Sequence, residues 1–239
     1  MKRIIKKILQ HFGVSVGRYP SPMMRGLRRI LESNGITIVL DVGANSGFYA
    51  RELRDLGYSN TIISFEPLLE PFHQLKAYAA NSKWKHQVVN CALGELDGTS
   101  SIHVSLNSVS SSILEATSEL VAMAPETKSY SKQEIVMHQL DSIIATYCDL
   151  GMDSIFLKID AQGYEKKILA GATRSIPYIK AIQLEVSLIE LYKGEWLLDE
   201  LLLYMKQMGF SLYMVMPEFT DPFTGRQLQV DCVFIQEGL

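Results

Sequence analysis

Carboxylates close four largely apolar runs of this chain: Asp41 after 37–40, Glu66 after 61–65, Asp160 after 154–159 and Glu185 after 180–184. A short apolar run bounded by turn residues reads as a buried strand. Ligands of open parallel sheets gather at the carboxyl ends of the strands, so these four acids are candidates for binding and for proton transfer. The first opens the turn Asp41-Val42-Gly43-Ala44-Asn45-Ser46-Gly47-Phe48, which leads into a helical pattern. Gly43 and Gly47 permit positive φ or a close backbone approach to a ligand, and Asn45 and Ser46 can cap the helix. Glu66 follows twenty-three residues after Gly43, near the spacing that sets a carboxylate on ribose hydroxyls in doubly wound folds.

What the turn lacks narrows the ligand. A dinucleotide turn, G-x-G-x-x-G, uses its second glycine to bring a pyrophosphate onto the helix N-terminus. Asn45 stands at that position, and Asp41 before it repels a pyrophosphate. An acid suits instead a ligand with a sulfonium and an amino group, and S-adenosyl-L-methionine carries both. It is therefore the expected cofactor, held by Asp41, Gly43, Asn45, Gly47 and Phe48 and by Glu66 with Pro67. A rival reading, a nicotinamide-dependent oxidoreductase, needs the missing glycine. A second rival, a non-catalytic S-adenosylmethionine-binding regulatory protein, needs Asp160 and Glu185 buried and mutually satisfied.

Six motifs recur in order: Asp-Val-Gly-Ala-Asn-Ser-Gly at 41–47, Phe-Glu-Pro at 65–67, Ala-Leu-Gly at 92–94, Leu-Asp at 140–141, Lys-Ile-Asp-Ala-Gln-Gly-Tyr-Glu at 158–165 and Gln-Leu-Glu at 183–185. Together they resemble the FkbM family of S-adenosylmethionine-dependent methyltransferases over about residues 37–236. The resemblance implies an α/β, Rossmann-like class I methyltransferase fold: a seven-stranded, mostly parallel sheet with helices on both faces and one reversed strand between its neighbours. It implies methyl transfer to oxygen, on a sugar, glycan precursor or natural product. It also implies that the segment at Cys91 and Ala92 lies beside the adenine, and that a serine-bearing loop, here with Ser110, lies near the cofactor mouth. Where the family commonly has an acid this chain has Gln162, so no role of that carboxylate carries over.

At 239 residues, 47% of them apolar, the chain is long enough for one large domain with its own core. A net charge of -3 lacks the basic excess of a nucleic-acid binder. Cys91, Cys148 and Cys232 are isolated and odd in number, without C-x-x-C spacing, so a disulfide framework and a zinc site are not expected and a reducing cytoplasm is. No apolar run approaches the roughly eighteen residues of a spanning helix, and no signal-peptide core follows the basic start.

Residues 1–35 read as a basic helical extension, with Lys2, Arg3, Lys6, Lys7, Arg18, Arg25, Arg28 and Arg29 against Glu32 alone. Ile4, Ile5, Ile8, Leu9 and Phe12 recur at helical spacing, so 2–12 is an amphipathic helix that either rests on a membrane surface or packs on the domain. A second helix is predicted over 23–34. The methyltransferase domain is predicted from 36 to 239, beginning with strand 37–42, helix 47–56, strand 61–65, helix 68–81 and strand 87–91 as a βαβαβ half. Helix 141–149, strand 154–159, helix 163–170, strand 180–187, helix 195–208 and an antiparallel pair, 210–216 with 229–236, complete it. Between the halves lies an insertion, 98–139, with strands over 101–106 and 134–139 and a polar loop at 107–112, expected to shape the acceptor pocket. The turn-rich 217–225 is expected to overhang the pocket as a lid.

Methyl transfer to a hydroxyl is an in-line displacement with a neutral thioether leaving group, so the protein must align the acceptor and take its proton. With Asp41 and Glu66 given to the cofactor, Asp160 is the first candidate base, bordering the cofactor as well, and Glu185 the second. Alternation puts Lys158 on the same face as Asp160, where it holds that acid ionised, meets the acceptor or forms a purely structural ion pair. His138 is an alternative base; His11, His73, His86 and His103 fall on surface or edge positions. Glu165, in the first turn of a helix, reads as helix-stabilising. Two acids at unknown spacing make no metal site, and none is expected. The acceptor is expected to be a small molecule or glycan and not a nucleic acid. Deleting residues 1–12 tests the extension: loss of binding to anionic vesicles with an unchanged melting temperature identifies a membrane-surface helix, and a large fall in melting temperature identifies a packed one.

Overall fold

A computed structural model describes residues 20–238, so the amphipathic helix expected over 2–12 lies outside the described residues. Ten strands are present: β1 (Ile38–Val42), β2 (Thr61–Phe65), β3 (His86–Val89), β4 (Ala92–Leu93), β5 (Gly98–Ser105), β6 (Ser129–His138), β7 (Ile155–Ile159), β8 (Ile179–Ser187), β9 (Phe210–Pro217) and β10 (Gln229–Gln236). Seven form one sheet in the order β3-β2-β1-β7-β8-β10-β9. Only β10 opposes the common direction, pairing antiparallel with β8 and β9. The remaining strands, β4, β6 and β5, form a second, three-stranded sheet.

Alternation along each central strand sorts its side chains onto two faces. Ile38, Leu40 and Val42 of β1 join Ile155, Leu157 and Ile159 of β7 on one face, under the helices Leu140–Tyr147, Glu165–Ala170 and Leu198–Gln207. The second sheet extends this core through Leu93, Ile102, Ile135 and Met137. Val39, Ile62, Phe156, Ala181 and Val233 face the other way, against Ala50 and Leu53 of the helix Phe48–Asp55 and Leu27, Ile30 and Leu31 of the helix Pro22–Ser33. The Pro22–Ser33 helix starts on Ser21, whose Oγ accepts from the Met24 amide at 3.2 Å, with Pro22 in its first turn. Each of its three buried side chains contributes roughly 1.5–3 kcal/mol relative to exposure, so this part of the basic extension belongs to the packed core.

Two features differ from the sequence reading. The strand expected over 87–91 stops at Val89, and Ala92–Leu93 pairs instead with β6 in the second sheet. Within 98–139 a further helix, Ser118–Met123, starts on Thr117, whose Oγ1 accepts from the Leu120 amide at 3.2 Å. A single turn and a half buries only Leu120, too little for an apolar period to show. Among the described residues no helix is long and apolar enough to cross a membrane.

The winding of the sheet reverses at β1, which pairs with β2 on one side and β7 on the other. There the two chain segments after β1 and β7 come into contact: the Asp160 amide donates to the Val42 carbonyl at 3.1 Å. A Cβ on Gly43 would lie 1.8 Å from the Asp160 carbonyl oxygen, and Gly43 has φ +76°. Beyond β7, buried Glu165 accepts at one oxygen from the amides of Ala161 (2.9 Å) and Gly163 (3.3 Å), fixing the loop that carries Asp160 and Gln162. Burial pushes the Glu165 carboxyl up from 4.5 to about 8. Between those values the folded chain holds a proton that the unfolded chain releases, so this contribution to stability is full below pH 4.5 and is lost as pH rises through about 8. Glu165→Gln keeps the accepting oxygen without the titration. Its melting temperature should fall less between pH 4.5 and 8 than that of the wild-type chain, by a slope difference of up to about 1.4 kcal/mol per pH unit.

Candidate active site

At the carboxyl ends of β1, β2 and β7 lies an open cleft. Glu66 stands on its wall, 4% exposed. One carboxylate oxygen accepts from the Asn45 amide at 2.7 Å and the other from the Leu68 amide at 2.8 Å. Each oxygen keeps a further lone pair, the arrangement needed to receive two vicinal hydroxyls. Burial raises this carboxyl to about 7, against the two amide bonds, which favour its charged form. Phe65, Cys91, Ala92, Leu93, Ile102 and Ile168 supply an apolar wall. Burial pushes the Cys91 thiol up to about 12, so it is a wall and not a nucleophile. Gly43, Asn45, Pro67 and Asp160 also line this cleft.

Six of the expected site residues do not line that cleft: Asp41, Lys158, Gly47 and Phe48, and also Ser110 and Glu185, which line a second cleft. Asp41 shares the sheet face of Val39, away from the cleft, and is fully buried. It accepts from the Ser64 hydroxyl at 3.1 Å and faces the Lys158 ammonium at 3.6 Å. Burial raises its pKa in spite of both. Lys158 is buried beside it, pairs with Asp160 at 3.3 Å and stacks 5.1 Å from the Tyr49 ring centre. Burial alone would lower the Lys158 pKa, but Asp160, Asp41 and Asp231 outweigh that and raise it, so the ammonium is kept charged. Neither Asp41 nor Lys158 lines the cleft, because strand alternation turns both toward the opposite helix layer. Gly47, at φ +89°, begins the next helix and packs where a Cβ would meet Leu75 at 2.7 Å. No side chain caps that helix; the Asn45 amide oxygen accepts instead from the adjacent Ser46 N–H at 2.8 Å. Phe48 is 66% exposed outside the cleft.

The second cleft adjoins the first through Val109, Asp160 and Gln162, which line both. Glu185, Ser110, Tyr192, Phe219 and Gln229 contribute to it. Asp160 and Glu185, at the ends of adjacent strands, are joined through Gln162, whose amide nitrogen donates to Asp160 at 2.8 Å and to Glu185 at 2.6 Å. Gln229 donates to the same Glu185 oxygen at 3.1 Å. The Tyr192 hydroxyl donates to the Gln162 side-chain oxygen at 2.8 Å, with the Ser110 carbonyl 3.1 Å away. Asp160 remains 34% exposed, open to both clefts. Burial, then the charges of Asp160 and Asp231, lift the Glu185 pKa well above the carboxylate range.

The sequence reading missed Gln162 as a contact, Tyr192 and Gln229. Gln162 was visible only as a departure from an acid; for Tyr192 the signal is Glu195 three residues on, whose carboxylate accepts from the Tyr192 amide at 2.9 Å and fixes the turn. His138 pairs with Asp97 at 3.2 Å at the surface and lines neither cleft. From the 217–225 loop, Phe219 reaches the second cleft and Phe223 is 83% exposed.

A family model described as the methyltransferase FkbM domain matches residues 41–212. No curated protein matches the sequence. Among solved structures, M. capricolum TrmK in complex with S-adenosyl-homocysteine aligns with a TM-score of 0.50 at 7% identity over 92% of this chain and 70% of that one. A candidate S-adenosylmethionine dependent methyltransferase from Listeria monocytogenes gives 0.50 at 9% identity over 90% and 97%. TehB from Haemophilus influenzae gives 0.49 at 8% identity over 92% of this chain, which spans 64% of that protein. At such identities the likeness is one of fold, and the Rossmann-like class I architecture is the one the strand order already displays. With the model covering most of the chain and the β1 turn, Glu66 and the Asp160 loop inside it, the protein belongs to the FkbM family of S-adenosylmethionine-dependent methyltransferases.

Proposed function

We propose that the chain methylates a hydroxyl of a sugar, glycan precursor or natural product bound in the second cleft. The observation that carries this is Asp160, the acid that borders both clefts and so can meet donor and acceptor together. In the first cleft Glu66 would hold the ribose, and Pro67, Cys91 and Ala92 would flank the nucleoside beside Gly43 and Asn45. When bound, the cofactor supplies an electrophilic methyl group on sulfur. The protein then has to hold the acceptor oxygen in line and remove its proton. We assign the base to Asp160, with the Lys158 ammonium 3.3 Å behind it. Glu185 is the second acid: one of its oxygens is committed to Gln162 and Gln229, and the other accepts no hydrogen bond among the described residues. It would accept from a neighbouring hydroxyl or take the proton itself, a task its raised pKa suits.

The lining of the second cleft supports a neutral polyol over a polyanion. Carboxylates and amides line it together with Leu120, Ala124 and Phe219, and no Lys, Arg or His lines it among the described residues. Nucleic acid would meet Asp160, Glu185 and Glu126 with no counter-charge. The three cysteines are free and buried, which suits a reducing cytoplasm, and the basic, amphipathic sequence of 2–12 supports peripheral membrane contact.

Glu66→Ala should weaken S-adenosylhomocysteine binding in calorimetry by about 1–3 kcal/mol, and an unchanged affinity would remove Glu66 from the ribose. Asp160→Asn should cut methyl transfer to sugar acceptors by about 10²-fold or more while leaving cofactor affinity largely intact. A fully active variant would place the base elsewhere.

A further inference from the structure

We propose that Gln162 is the positioning residue of this site, its amide standing between Asp160 and Glu185 where paired acids would otherwise draw in a divalent cation. The proposal rests on the reading of these two acids as acceptor-facing. Gln162 Nε2 carries two hydrogens and meets two carboxyl groups, Asp160 at 2.8 Å and Glu185 at 2.6 Å, so each hydrogen has an oxygen acceptor. Tyr192 donates to the Gln162 side-chain oxygen at 2.8 Å, which fixes the amide this way round; the flipped amide would set oxygen against two carboxylates.

The backbone is fixed as firmly. Gln162 sits at φ +52°, in the left-handed region that a non-glycine residue occupies only under constraint. Its carbonyl accepts from Ser112 Oγ at 2.7 Å, and the next residue, Gly163, packs where a Cβ would lie 2.9 Å from that of Tyr192. Such an arrangement has a use. Asp160, Asp231 and Glu165 lie around Glu185 together with Lys158. Hard cations take carboxylate oxygens, and the Asp160 and Glu185 oxygens nearest Gln162 are bonded here to its N–H groups. No group of three or more His, Cys, Asp or Glu able to hold a metal ion occurs among the described residues. An acid at 162 would turn both N–H contacts into oxygen contacts and complete a three-carboxylate ligand set.

Manganese(II) uptake, followed by electron paramagnetic resonance on the chain saturated with S-adenosylhomocysteine, tests this. Gln162→Glu should bind Mn(II) at least about ten-fold more tightly than the wild-type chain, and adding Asp160→Asn should return uptake to the wild-type level. Equal affinity in the wild-type chain and Gln162→Glu overturns the proposal. If Gln162→Glu does not melt cooperatively, Gln162→Met serves, since it removes the donor without adding charge: tighter Mn(II) uptake than wild type supports the role, and no change overturns it. Calorimetry with S-adenosylhomocysteine separates the two levels of the argument. A wild-type chain that does not bind the nucleoside refutes the methyltransferase site itself, whereas one that binds it and shows no effect at Gln162 refutes only this role.

Discussion

The site depends on one backbone contact: the turn after β1 and the loop after β7 meet so closely that the Asp160 carbonyl occupies the space of a Gly43 side chain. A Cβ there would sit 1.8 Å from that oxygen, and only a shift of two adjacent strands could relieve it. The contact lies where the sheet reverses its winding, and it sets the turn after β1 and Asp160 side by side. Gly43 is therefore required by the protein's own chain before any ligand is present. The usual functional reading of a glycine turn, close approach to a ligand, is here joined to a packing reason of at least equal weight.

Electrostatics then divides the acids between two layers. Strand alternation sends Asp41 and Lys158 into the layer under the helix Phe48–Asp55, where they compensate one another beneath Tyr49. Asp160, just past the end of β7, and Glu185, within β8, line the second cleft. Lys158 thus acts from behind, as a buried counter-charge. Removing water makes each of these pairings stronger and each unpaired group more costly. That cost explains why Glu66, Glu165 and Glu185 all have pKa values above the carboxylate range while each accepts hydrogen bonds from backbone or amide N–H groups.

The insertion after β4 supplies what the sheet alone lacks. Its serine loop puts Val109 into both clefts and Ser110 into the second, while Ser112 holds the carbonyl of Gln162. Local hydrogen bonds, such as that from the Asn107 side chain to Ser110 at 2.9 Å, stiffen the loop without an apolar core.

The strands and the acids that end them were legible in the sequence because period and turn chemistry are local. Each central strand is a short apolar run, and Asp41, Glu66, Asp160 and Glu185 follow those runs directly. The ordered motifs made the family legible too, and with it the strand order that no periodicity encodes. Where the acids point was not legible. Asp41 looked like a cofactor ligand from its place in the turn, yet one residue of strand register turns its side chain to the opposite face. Gln162, Tyr192 and Gln229 come from three separate segments, and only the packing of β7, β8 and β10 with the loops beyond them brings their side chains onto the two acids. A sequence fixes which groups a chain carries and how each strand alternates. Which groups share one hydrogen-bond network is decided by long-range packing, since donors and acceptors recognise one another only once the sheet has set them within about 3 Å.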